Sequence, residues 1–318
     1  MLPFDNEQHE KPLTRREAPV LEGLDTIGWE CLTHAYGSAA DVPELLRDLA
    51  SDDEDRQYIA ADTFYTNLWH QGAVAETAAY AVPFLVRLIQ APTTRPRIRH
   101  MLVDLLALFS VGEANTRAYA QYMAEEGRAT PEFEEKVDRR LREDRAAHEA
   151  VGAEIPFLLK LLHDQDTELA AIAAHALSCF PERATQLAPE LRASLDQELA
   201  VTVKASCILS LGVLAGNDAK YTQLYGDIIR SDAPGPLRLA AAMALARALR
   251  ETAPDEAVQI LTTAKDDPGW DEDVGPWLAA DMRVDPAGPY MAMWRTLSGQ
   301  EDPTLVAGGL VPDYVCTT

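Results

Sequence analysis

Apolar residues in the middle of the chain recur at intervals of three and four, the spacing that lines one face of an α-helix. A longer period lies over this one. Leu169-Ala170, Val203-Lys204 and Leu237-Arg238 follow each other at steps of 34 residues. Four residues past each pair stands a small apolar couple, Ala173-Ala174, Cys207-Ile208 and Ala241-Ala242. Three further on come Ala176-Leu177, Ser210-Leu211 and Ala244-Leu245. Helix-spaced apolar positions that return at this period predict helix pairs stacked into an α-solenoid, because a single pair cannot bury its apolar face alone.

A second recurring unit opens helices. Val42-Pro43-Glu44-Leu45, Val82-Pro83-Phe84-Leu85 and Ile155-Pro156-Phe157-Leu158 each set a proline in a first turn, where its missing amide costs nothing. Ala188-Pro189-Glu190-Leu191 is a weaker copy. Acidic, turn-prone segments follow these helices: Ser51-Asp52-Asp53-Glu54-Asp55, His163-Asp164-Gln165-Asp166 and Ser231-Asp232-Ala233-Pro234. Their side chains suit the open amides at the start of the next helix. Second helices are predicted over 54–69, 96–110, 167–179, 200–214 and 236–250, several closing at glycine, as at Gly72, Gly112 and Gly216.

Residues 1–22 read as a flexible lead-in, 23–265 as the solenoid and 266–318 as an irregular cap over its open apolar end. The charged stretch 113–151 is either a degenerate repeat with a long exposed helix or an insertion. Its Glu and Arg residues stand at i,i+4 spacings that suit a solvated helix.

This order of helix, acidic turn and helix, with Val-Lys or Leu-Arg opening the second helix and an Ala-Ala/Ala-Leu body, resembles the HEAT-repeat family over residues 40–265. The likeness is fullest at 155–250 and looser at 40–112, where Tyr58, Phe64, Tyr65 and Trp69 stand in place of alanines. Trp29, followed by His34-Ala35-Tyr36-Gly37 and Asp41-Val42-Pro43, is similar to uncharacterised actinobacterial HEAT-repeat proteins. The resemblance implies an all-α, right-handed α-solenoid of about five to seven antiparallel helix pairs with irregular end caps. It brings no single assigned activity with it.

Charge changes the picture of what such a stack would bind. Asp and Glu total 51 against 28 Lys and Arg, a net charge of −23. That field repels phosphate backbones and anionic lipid and steers a basic partner inward, so neither nucleic acid nor membrane is expected as a partner. Hydrophobic residues are 47% of the chain and aromatics only 7%, so the interior is aliphatic, as close helix stacking requires. Cys31, Cys179, Cys207 and Cys316 form no CxxC, which argues against a disulfide framework or a zinc site. The charged N-terminus and the lack of a spanning apolar run point to a cytoplasmic protein.

No P-loop, GxGxxG, HExxH or GxSxG motif is present, and no cofactor or metal is expected. Three clusters remain as candidates. The first is an N-terminal aromatic set, Trp29, His34, Tyr36, Tyr58, Tyr65, Trp69 and His70, with Tyr58, Tyr65 and Trp69 spaced to share one face of the first second-helix. In HEAT arrays that helix lines the concave surface, so the stripe is either a binding surface or an end cap. The second is His100 with Asp104, one turn apart, set either for imidazole chemistry or for a surface hydrogen bond. His175, inside an alanine-rich helix, reads as structural. The third is the acidic loop Asp266, Asp267, Asp271, Glu272 and Asp273 between Trp270 and Trp277, whose spacing does not match a calcium loop.

The expected function is an interaction scaffold holding a protein or peptide partner of basic surface in its concave groove, of which an immunity or inhibitor role is one version. The expected site is Tyr58, Asp62, Tyr65, Trp69, His70, His100 and Asp104. The alternative is a small-molecule enzyme, a lyase, cyclase or isomerase, using the same aromatic groove as a pocket and a titratable group such as Asp62, His70 or His100.

Overall fold

Carboxylates at the turns set the helix starts. Asp53 accepts a hydrogen bond from the Arg56 amide at 3.1 Å, and Asp166 accepts from the amides of Glu168 and Leu169 at 3.2 and 3.4 Å. The third acidic turn behaves differently: Pro234 stands at the cap position, and no side chain caps that helix. The computed structural model describes residues 19–265 apart from residue 71. Residues 1–18 of the lead-in expected over 1–22, the cap expected over 266–318, and Cys316 lie outside them.

Thirteen α-helices occupy most of the described residues. They are α1 (Val42–Leu49), α2 (Glu54–Leu68), α3 (Thr77–Gln90), α4 (Pro96–Ser110), α5 (Ala114–Glu125), α6 (Pro131–Ala153) and α7 (Ile155–Leu161). They continue with α8 (Thr167–Ser178), α9 (Ala184–Ser194), α10 (Val201–Leu214), α11 (Ala219–Arg230), α12 (Gly235–Leu249) and α13 (Asp255–Lys265). Pro43 and Pro156 stand at the starts of α1 and α7 as expected. Pro83 and Pro189 do not: α3 and α9 begin a turn or more earlier and carry these prolines inside.

Two antiparallel hairpins interrupt the helices. Strand β1 (Thr33–His34) pairs with β2 (Gly37–Ser38), and β3 (Trp69–His70) pairs with β4 (Ala73–Val74). The second hairpin corrects an expectation. Helix α2 ends at Leu68, Trp69 is extended at φ −130° and ψ 113°, and Gly72, at φ +78°, turns the hairpin instead of closing the helix.

The longer helices pack side by side in chain order: α2 on α4, α4 on α8, α8 on α10 and α10 on α12. Each also packs against a second helix, α1 on α2, α3 on α4, α7 on α8, α9 on α10 and α11 on α12. One continuous apolar core runs from Leu21 to Leu261. Helix α8 is buried at every residue from Leu169 to Ser178, and the middles of α10 and α12 are buried likewise. Small side chains on every face allow this enclosure. These helices are interior elements, not the open lining of a groove.

The stretch 113–151 departs from the pattern. Helix α6 runs back over α3, α4 and β4, and α5 packs on α6. Its far half is exposed, while Asp144, Ala147 and Val151 are buried.

Candidate binding surfaces

Helix α2 faces the core with Gln57, Ala60, Ala61, Phe64, Asn67 and Leu68. Buried Gln57 fixes its orientation: its amide donates to the carbonyls of Ser51 at 2.6 Å and Thr93 at 3.2 Å and accepts from the Arg95 amide at 3.3 Å. The opposite stripe, Asp55, Tyr58, Ile59 and Asp62, is exposed. Ile59 shows 64% of its surface and Tyr58 39%, unusual for large apolar side chains beside four successive carboxylates, Asp52, Asp53, Glu54 and Asp55. The Tyr58 ring already holds a guanidinium, that of Arg97, 4.5 Å from its centroid, and Arg97 also donates to the Tyr58 hydroxyl at 3.3 Å.

The remaining expected site residues divide into three groups. Tyr65 donates to Asp104 Oδ2 at 3.1 Å and meets Trp69 edge-on, with ring centroids 6.0 Å apart, so these three bridge α2, β3 and α4. His100 does not pair with Asp104. Its Nε2 lies 2.7 Å from Asp166 Oδ2 and its Nδ1 3.1 Å from Glu168 Oε2, which ties α4 to the start of α8. Burial works against the Asp166 carboxylate, but the His100 hydrogen bond and charge, with the Leu169 and Glu168 amides, outweigh it and hold its pKa below the ordinary value. His100→Ala is therefore expected to cost about 1–2 kcal/mol in urea unfolding at neutral pH. The part of that cost carried by Asp166 fades as pH falls through its depressed pKa.

Trp29 and His175 are structural. Trp29 is buried against Phe84 and donates from Nε1 to the Leu24 carbonyl at 2.8 Å. His175 is enclosed, and burial lowers its pKa to about 4.

His70 belongs to a third place, because successive strand residues point to opposite sides. Its ring lies edge-on to Tyr36 at 5.3 Å, and its Nδ1 is 3.4 Å from the Tyr36 hydroxyl. The Tyr36 amide donates to His34 Nδ1 at 3.1 Å, so the His34 proton sits on Nε2, 3.0 Å from Asp41. Thr77 Oγ1 donates to the Thr33 carbonyl at 2.6 Å, and Glu76 accepts from both the amide and the hydroxyl of Thr33. The first hairpin is thereby fastened to the start of α3.

Helix α6 closes over this assembly. Buried Asp144 accepts from Thr116 Oγ1 at 2.5 Å and from the Val74 amide, pinning α6 to α5 and β4 together. Burial raises its pKa to about 6 against those two hydrogen bonds. Between the hairpins and α6 lies a cavity of about 940 Å³. Helix α6 lines it with Lys136, Arg139, Arg140, Arg142 and Glu143, the hairpins with His34 and His70, and α3 and the residue before it with Tyr80 and Glu76. Burial pushes the Glu143 carboxyl up, opposed by Arg139 and Arg140 and reinforced by Glu76 and Asp144.

Of the expected residues only His70 lines this cavity. The legible signal was the Arg139-Arg140-Leu141-Arg142 run standing out in an acidic chain. Its juxtaposition with the first hairpin depends on the fold. Among the described residues no helix is long and apolar enough to cross a membrane, and no group of three or more His, Cys, Asp or Glu side chains could hold a metal ion. No protein-family model matches this chain, and no curated protein matches it either.

Proposed function

We propose that the chain is a HEAT-like α-solenoid of about five to seven helix pairs that serves as an interaction scaffold for a protein or peptide partner of basic surface. The observation that supports this most is the outer stripe of α2, where exposed Tyr58 and Ile59 stand among Asp52, Asp53, Glu54, Asp55 and Asp62. An aromatic and an aliphatic anchor inside a polar rim is the usual composition of a binding hot spot. The carboxylates select a cationic partner and speed its approach. Arginine stacking on Tyr58 has a precedent within the chain in Arg97.

A labelled peptide of alternating arginine and leucine tests the reading by fluorescence anisotropy. Asp55→Lys with Asp62→Lys, and separately Ile59→Ser, are expected to weaken binding by about tenfold. The exposed pair Glu198→Lys with Asp232→Lys changes net charge equally and is expected to weaken it about twofold or less. Equal losses in the two charge-reversed proteins would reduce the interaction to nonspecific attraction and remove the stripe from the account. A second reading, in which the chain takes a small molecule, draws on the cavity beside His70.

A further inference from the structure

We propose that the cavity between the hairpins and α6 is a binding site for a nucleotide-sized anion, held through phosphate or carboxylate groups by Lys136, Arg139, Arg140 and Arg142. The inference stands apart from the α2 stripe and does not depend on it.

Its basis is a local inversion of charge. The chain carries −23 overall, yet four cations and two carboxylates line this one cavity. Arg139 and Arg140 act on the Glu143 carboxyl and Arg140 also on Asp144, but the carboxylates one turn N-terminal to the cations go unused. Glu132, Glu135 and Asp138 lie one turn N-terminal to Lys136, Arg139 and Arg142, the favourable order for pairing on a helix. Among the described residues, none of the three pairs closes to ion-pair distance. Elsewhere Arg47, Arg56, Arg99, Arg192 and Arg230 each reach a carboxylate, and Arg117 and Arg145 share Glu113. Four cations crowded at i,i+3 and i,i+4 on one helix repel one another, and an anion bound among them relieves that repulsion.

The two acids do not cancel the site. Glu76 is engaged by the amide and hydroxyl of Thr33. Glu143 shares α6 with the cations, and Arg139 and Arg140 both act on its carboxyl against the upward push of burial, so four cations still face two carboxylates. The volume suits a ligand of metabolite or nucleotide size. Tyr80 and His70 also line the cavity and offer aromatic rings for the body of such a molecule. The wall itself is held firmly, because Asp144 fixes α6 to both α5 and β4.

Calorimetric titration of the intact protein at low ionic strength, with pyrophosphate, citrate and adenosine monophosphate as probes, tests the site. At least one probe is expected to bind with a dissociation constant below about 1 mM. Arg139→Ala with Arg142→Ala, both exposed on α6, is expected to weaken that binding about tenfold or more, and Lys136→Glu to weaken it as well. Arg128→Ala with Arg230→Ala removes the same charge elsewhere and is expected to change it about twofold at most. Preference for pyrophosphate assigns a phosphate ligand, preference for citrate a carboxylate, and a gain for the monophosphate adds stacking on Tyr80 or His70. The proposal is overturned if no probe binds at about 10 mM, or if the Arg128 and Arg230 protein loses as much affinity as the Arg139 and Arg142 protein.

Discussion

Gly212→Val is expected to destabilise the protein by about 3 kcal/mol and lower its melting temperature by about 10 °C. Gly212 sits on α10 where that helix crosses α12. A Cβ placed there would lie 2.7 Å from the Ala244 Cβ and 3.0 Å from its Cα. The nearer atom belongs to a side chain with no rotamer to change and the other to the backbone, so the helices must separate. Separation opens the seam on which α8, α10 and α12 depend for burial. Gly235→Ala is the matched control. It lies in the first turn of α12 with nothing within 4 Å of an added Cβ, and is expected to be neutral or to stabilise by up to about 1 kcal/mol through helix propensity. Thermal melts of the two variants check both outcomes, and a Gly212→Val protein that melts with the wild type would contradict the seam.

Asp144→Asn is expected to reverse sign with pH. The unfolded chain releases this proton near 3.8 and the folded chain near 6, so between those values the folded state holds the extra proton. Stability from this group therefore falls as pH rises from about 4 to 6, and the full penalty above that window is about 3 kcal/mol. Glu113 and Asp166 carry lowered pKa values and pull stability the other way, so the whole-protein curve mixes the effects. The difference between wild type and variant isolates Asp144. An asparagine is neutral throughout; its carbonyl can accept from the Val74 amide, but its NH2 requires the Thr116 hydroxyl to turn and accept, and leaves a second buried N–H to satisfy. Wild type is expected to be the more stable by about 1 kcal/mol at pH 4, and the variant by about 2 kcal/mol at pH 7. Urea unfolding at the two values measures it. A difference that does not move with pH would show that the Asp144 carboxyl keeps an ordinary pKa.

Helix positions were legible where one physical rule governs. The 34-residue period predicted helices over 167–179, 200–214 and 236–250, and α8, α10 and α12 span Thr167–Ser178, Val201–Leu214 and Gly235–Leu249. Repeated burial demands a repeated pattern, so the pattern reports the burial. Proline was less informative. It marks a first turn only where the preceding residues cannot extend the helix, and Thr77-Ala78-Ala79-Tyr80-Ala81 ahead of Val82 can. The hairpins are not legible because two-residue strands carry no period, and Trp69 continues the α2 spacing by coincidence of count.

The candidate sites divide in the same way. Tyr58 and Asp62 stand out as polar or aromatic departures in an alanine-rich plan, and both lie on the exposed stripe of α2. His100 and Asp104 suggested a pair by spacing, but each found a nearer partner on another element, Asp166 and Tyr65. The cavity was hidden because its walls lie about a hundred residues apart, from Thr33 to Glu143. The acidic loop over 266–273 lies outside the described residues.

The most direct test of the scaffold proposal is a methyl NMR titration of isoleucine-labelled protein with the arginine and leucine peptide. Ile59 is exposed on α2, whereas Ile89, Ile98, Ile155, Ile172, Ile208 and Ile229 are buried in the core. The Ile59 δ1-methyl resonance is expected to move progressively to saturation while those six core methyls stay in place. A peptide that binds while the Ile59 resonance stays fixed would contradict it.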